Sequence, residues 1–60
     1  MRAYFYNRRG DLVLGLKKVT DVEIKENRDV DIRIKANDGG MAALTVLRTD
    51  YSYIKLGRTK

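Results

Sequence analysis

Residues 20–36, TDVEIKENRDVDIRIKA, constrain the fold of this chain more than any other segment. Val22 and Ile24, then Val30, Ile32 and Ile34, fall on every second position, with charged residues between them. A period of two is the signature of a half-buried strand. The polar ENRD at 26–29 joins the two runs, so the segment predicts a β-hairpin. Charge suggests its register. With Ile24 opposite Ile32 and Val22 opposite Ile34, the solvent side sets Asp21 against Lys35, Glu23 against Arg33 and Lys25 against Asp31. A slip of two residues would set Glu23 against Asp31, and directly opposed charges differ by roughly 0.2–1 kcal/mol per pair. The expected face is thus self-neutralised rather than a binding stripe.

Sixty residues allow one domain, 1–60, with a core too small for more than marginal stability. There is no cysteine and no histidine, which removes disulfides, the usual zinc ligands and the commonest general base. Ser52 is the only serine and has no histidine to activate it. The chain reads as non-enzymatic, with no cofactor and no metal. No apolar run approaches the roughly 20 residues of a membrane span, the N-terminus lacks a signal-peptide core, and the absence of cysteine fits a reducing, cytoplasmic setting. Hydrophobic residues make up 43% of the chain and are periodic, which argues against disorder despite 35% charged residues. The net charge of +5 favours acidic partners: nucleic acid, acidic protein surfaces or anionic lipid.

The rest of the chain also reads as short strands and turns. RAYFYN at 2–7 is strand-like, with Ala3 and Phe5 on one face and Arg2, Tyr4, Tyr6 and Arg8 on the other. RRGD at 8–11 is a turn. LVLGL at 12–16 is a strand with Leu12, Leu14 and Leu16 on one side, and its Gly15 suggests a bulge or a close backbone approach. NDGG at 37–40 is a tight turn leading to MAALTVLR at 41–48, where Thr45 and Val46 favour strand over helix. TDYS at 49–52 is one helical turn, YIKLG at 53–57 a last strand, and 57–60 a frayed tail. Phe5, Leu14, Val22, Ile24, Ile32, Ile34, Leu44, Val46 and Ile54 form the expected core.

Five or six short antiparallel strands with one late helical turn predict an all-β small barrel. The order of segments resembles the SH3 family. Ala3-Tyr4-Phe5-Tyr6-Asn7 is similar to the Ala-Leu-Tyr-Asp-Tyr strand of SH3 domains, and GDLVLGLKKVTDVEI at 10–24 is similar to their first loop and the strand after it. DYSYIKL at 50–56 resembles their closing 3₁₀ turn and last strand. The resemblance implies an SH3-like barrel in which Tyr53 stands at the position of a groove tyrosine and Tyr6 near that of a second, though out of register with it. The chain departs from the family in having no tryptophan and no proline, and in carrying Arg8, Arg9, Lys17 and Lys18 where SH3 loops are acidic. Recognition of proline-rich peptides is therefore not expected, and a partner of opposite charge is.

Two basic clusters remain after the hairpin charges are paired. Arg2, Tyr4, Tyr6, Arg8 and Arg9 interleave cations with aromatics, which can stack on bases and neutralise phosphates; alternatively the tyrosines cover the core, with the arginine stems packed on them. Lys17 and Lys18, with Arg48, Lys55, Arg58 and Lys60 as candidate neighbours, are the second cluster, or else an ordinary solvated surface. The sequence supports a small basic binding module that contacts nucleic acid through Arg2, Tyr4, Tyr6, Arg8, Arg9, Lys17, Lys18 and Tyr53. The alternative is a protein-interaction module or small regulator that docks through its tyrosines or a free sheet edge, and homodimerisation is compatible with either.

Overall fold

Three hairpin turns of one kind set three of the four strand pairings. The computed structural model describes residues 1–58. In each turn the first residue donates its N–H to the carbonyl four positions on and accepts from the N–H three positions on. The pairs are Asn7 N–H to Asp11 O and Gly10 N–H to Asn7 O (both 3.0 Å), Lys25 N–H to Asp29 O (2.8 Å) and Arg28 N–H to Lys25 O (2.9 Å), and Ala36 N–H to Gly40 O (2.8 Å) and Gly39 N–H to Ala36 O (3.0 Å). The third loop residue is left-handed in every case: Gly10 at φ 85°, Arg28 at 75° and Gly39 at 88°. This is the three-residue hairpin, which needs a positive φ at that position. Short polar side chains brace the loops. Asn7 Oδ1 accepts from the N–H groups of Arg9 and Asp11, Asn27 Oδ1 from that of Asp29, and Asp38 Oδ1 from that of Gly40.

The turns connect β1 (Arg2–Tyr6) to β2 (Leu12–Leu16), β3 (Val19–Ile24) to β4 (Val30–Lys35), and β4 to β5 (Met41–Val46). A 3₁₀ turn at Arg48–Asp50 leads into β6 (Tyr53–Gly57). All neighbouring strands are antiparallel, and they form two three-stranded sheets, β2-β1-β6 and β3-β4-β5. The chain crosses between sheets at Lys17–Lys18. Lys18 is left-handed at φ 57°, its carbonyl accepts from Lys35 N–H, and the next N–H, of Val19, donates to Met1 O.

Residues 41–46 are strand, as Thr45 and Val46 suggest, and the late helical turn lies one residue earlier than expected. Gly57 pairs with Arg2 as the last residue of β6 and so belongs to the sheet rather than the tail; positions 59 and 60 of the expected tail lie outside the described residues.

The register expected for the β3–β4 hairpin is two residues out. Ile24 faces Val30, Val22 faces Ile32 and Glu23 faces Asp31, with a bulge between Val19 and Asp21. The turn geometry and burial outweigh the charge pattern. Pairing Lys25 with Asp31 would have left Val30 in a longer loop, whereas the observed turn places Val30 fully buried between Ile24 and Val46. Burying such a side chain contributes about 1.5–3 kcal/mol, against at most about 1 kcal/mol for one unfavourable cross-strand charge pair. The Asp31 carboxylate also finds partners beside Glu23. Thr45 Oγ1 donates to Oδ1 at 2.7 Å and Lys25 Nζ lies 3.2 Å from Oδ2. The Thr45 hydrogen bond first, then Lys25, holds the Asp31 pKa below the ordinary aspartate value. Of the three expected ion pairs only Lys25–Asp31 forms among the described residues.

The inner faces of both sheets meet in one small core. Ala3, Phe5, Val19, Val30, Ile32 and Val46 are buried, and Leu14, Leu16, Val22, Ile34, Leu44, Tyr51 and Ile54 pack around them. The ring of Tyr51 meets Phe5 edge-on, with centroids 5.4 Å apart. Ile24, expected in the core, is not inside, and Leu12 does not share a side with Leu14 and Leu16 as strict alternation would have it. Ile24, at the end of β3, is 59% exposed, because only Val30 faces it before the turn. Leu12 is 56% exposed, because a bulge between Phe5 and Tyr6 sets it opposite Tyr6, on the outer face.

Candidate nucleic-acid interface

Strand alternation divides β1 cleanly. Ala3 and Phe5 point into the core, so Arg2, Tyr4 and Tyr6 line the outer face of the β2-β1-β6 sheet. Cross-strand partners share a face. Tyr4 lies opposite Gly15 of β2 and Lys55 of β6, and Tyr6 lies opposite Leu12 and Tyr53. The outer face therefore carries three tyrosines on two adjacent strands. The rings of Tyr6 and Tyr53 stack, with centroids 4.9 Å apart and planes 15° from parallel. Gly15 makes room for Tyr4: a Cβ there would touch the Tyr4 ring at 3.5 Å. A Cβ on Gly10 would meet the Tyr53 hydroxyl at 3.7 Å, so the stacked pair reaches the Arg8–Arg9–Gly10 turn.

Cations flank this aromatic strip. Arg8 and Arg9 are exposed in the turn beyond Tyr6. At the other end of β1, Arg2, Lys17 and Lys18 line one shallow depression with Met1. The five residues of β1 separate these two basic ends by about 17 Å. Lys18 is partly committed, since its Nζ donates to Asn37 Oδ1 at 3.2 Å. All eight residues expected from the sequence thus lie on one sheet or the turns at its ends. Lys55 joins them opposite Tyr4. Period-two alternation in YIKLG already placed Lys55 on the face of Tyr53, but only the β1–β6 pairing puts it beside Tyr4.

Charge separates between the sheets. The two stretches of sequence that contain the β2-β1-β6 sheet and its turns, 1–18 and 51–60, hold eight of the 13 Lys and Arg and one of the eight Asp and Glu, a net +7. Residues 19–50 hold the other five basic and seven acidic side chains, a net −2. The one acid of the basic half, Asp11, forms no ion pair among the described residues. The outer face of the other sheet instead gathers Asp21, Glu23 and Asp31 around Arg33. Among the described residues no group of three acidic side chains is arranged to hold a metal ion. Among the described residues no helix is long and apolar enough to cross a membrane.

Comparison with known proteins returns no match: no protein-family model, no curated protein and no solved structure matches this chain.

Proposed function

We propose that this chain is a non-catalytic nucleic-acid-binding module and that the outer face of the β2-β1-β6 sheet is its contact surface. One observation carries the reading: three exposed or half-exposed tyrosines share a sheet face with cations at both ends, on the part of the chain that holds all of the excess positive charge. Phosphates engage Arg2, Arg8, Arg9, Lys17, Lys18 and Lys55, and bases stack on the open ring surfaces of Tyr4, Tyr6 and Tyr53. Base–aromatic stacking is worth about 1–3 kcal/mol per base and tolerates any sequence. Phosphate contacts supply affinity without sequence information. The architecture we favour is an SH3-like barrel, supported by the strand order, the Lys17–Lys18 crossing and the 3₁₀ turn before β6.

A fluorescence titration with labelled single- and double-stranded oligonucleotides near physiological salt tests this. Binding should weaken with salt by about 0.9 log unit per phosphate contact for each decade on duplex. Replacing Arg8 and Arg9 together with Ala should weaken all sequences equally, and Tyr6→Ala should harm single strands more than duplex. No binding at up to tens of micromolar protein would sink the proposal.

A second reading, docking on an acidic protein or on another copy of this chain, is favoured by one feature. Leu12 and Val13 are both more than half exposed on β2, an edge strand with unpaired backbone groups. It becomes the preferred reading if the titration fails.

A further inference from the structure

A groove of about 390 Å³ lies between the β3–β4 turn and the 3₁₀ turn, lined by Arg28, Arg48, Thr49, Tyr51 and Ser52. Its frame is tied down from several directions. The Tyr51 hydroxyl donates to Arg28 O at 2.6 Å, and Arg48 N–H donates to Asp29 Oδ1 at 2.8 Å. Ser52 N–H donates to Tyr6 O at 2.7 Å. The other oxygen of Asp29 accepts from Asn27 Nδ2 at 3.1 Å, and Asp29 does not line the groove. Asp50, though it belongs to the 3₁₀ turn, lines a different depression beside Val13 and Leu44. Two arginines and three hydroxyl-bearing residues therefore line the groove with no acidic residue among them; the Tyr51 hydroxyl is already committed to Arg28 O, and neither arginine forms an ion pair among the described residues.

Arg28 is also in an unusual place. It holds the left-handed position that glycine holds in the other two hairpins. A non-glycine residue there is strained, and such strain collects where a side chain is needed for function.

We propose that this groove is an oxyanion site that takes a phosphate group. Arg28 and Arg48 grip its oxygens with paired N–H donors, and Thr49 and Ser52 add hydroxyl donors. Guanidinium groups suit this role because their planar donors match phosphate geometry. The phosphate has two possible sources. It is a phosphodiester of a nucleic acid running past Tyr6 and Tyr53, to which Ser52 is adjacent, or it is a free phosphate group. The site does not depend on the nucleic-acid reading, since its donors are separate from the tyrosine face.

The test is an NMR titration of the full chain with inorganic phosphate, following the arginine Nε–H signals. Arg33, on the outer face of the other sheet, is the internal control. Arg28 and Arg48 should shift together and saturably, and Arg33 should not. Arg28→Gly suits the left-handed backbone and should stay folded while losing the saturable response; Arg48→Gln should lose it too. A short single-stranded oligonucleotide without terminal phosphates distinguishes the sources. If Arg28→Gly weakens its binding about tenfold, the loss of one charge-assisted contact, the site holds a backbone phosphate. If oligonucleotide binding is unchanged while inorganic phosphate still saturates the wild-type groove, the site takes free phosphate. The proposal is overturned if Arg28 and Arg48 respond no more than Arg33, or if Arg28→Gly binds phosphate as well as wild type.

Discussion

Replacing Arg28 with glycine should make the protein more stable, although it deletes a long side chain. Left-handed backbone costs a non-glycine residue about 1–2 kcal/mol. A glycine gives back about 0.5–1 kcal/mol through the freedom it adds to the unfolded chain. The bond from the Tyr51 hydroxyl survives, because it is made to the Arg28 backbone carbonyl. The net gain is therefore about 0.5–1 kcal/mol, or about 2–8 °C in Tm for a chain of this size. The sister turns supply the reciprocal experiment. Gly10→Ala and Gly39→Ala should each lose about 1 kcal/mol or more. Crowding cannot account for that loss: a Cβ on Gly39 would have nothing within 4 Å, and one on Gly10 would meet only the Tyr53 hydroxyl at 3.7 Å. Thermal melts by circular dichroism on the three variants decide the matter. If Arg28→Gly melts below wild type, or the two alanine variants melt at or above it, the equivalence of the three turns is wrong, and with it the account of the hairpin register.

Two further outcomes follow from the core and from the hairpin charges. Ile32, fully buried in the central strand β4 between Val22 and Leu44, should cost about 2–5 kcal/mol when cut to alanine; chemical denaturation would show this as near-complete loss of the folded state, and a midpoint close to wild type would refute the face assignment. Asp31 has its pKa lowered in the folded state, so its contribution is fully present above the unfolded value of about 3.9 and is lost as pH falls through the lower folded value. Asp31→Asn should therefore melt below wild type at neutral pH, with the gap closing as pH drops below about 4; a gap independent of pH would mean that the carboxylate charge is not what Thr45 and Lys25 recognise.

Hydrophobic alternation made most of the strands readable, because a strand with one buried face must place apolar side chains at every second position. It could not fix the hairpin register. Val22, Ile24, Val30, Ile32 and Ile34 satisfy alternation in either of two registers that differ by two residues, so the decision passed to the turn. That turn was obscured because Arg28 stands where glycine would have announced a left-handed residue. Bulges hid Leu12 and Val19 in the same way, by breaking the period that the eye follows: alternation set Leu12 on the side of Leu14 and Leu16, yet it lies on the outer face, and Val19 was left off the core and is buried. The tyrosine–arginine strip was legible because β1 alternates without interruption. Lys55 was not, since its place beside Tyr4 depends on a strand pairing between the two ends of the chain. The Arg28–Arg48 groove joins residues from two turns 20 positions apart and leaves no local pattern.

The most direct test of the functional account is amide chemical-shift mapping by NMR during titration with a short single-stranded oligonucleotide. The account predicts that the perturbed amides cluster on β1, β2 and β6 and on the turn carrying Arg8 and Arg9, while the outer face of β3, β4 and β5 around Glu23, Arg33 and Ala43 stays silent. Perturbations centred on that second sheet, or none at saturating oligonucleotide, would contradict it.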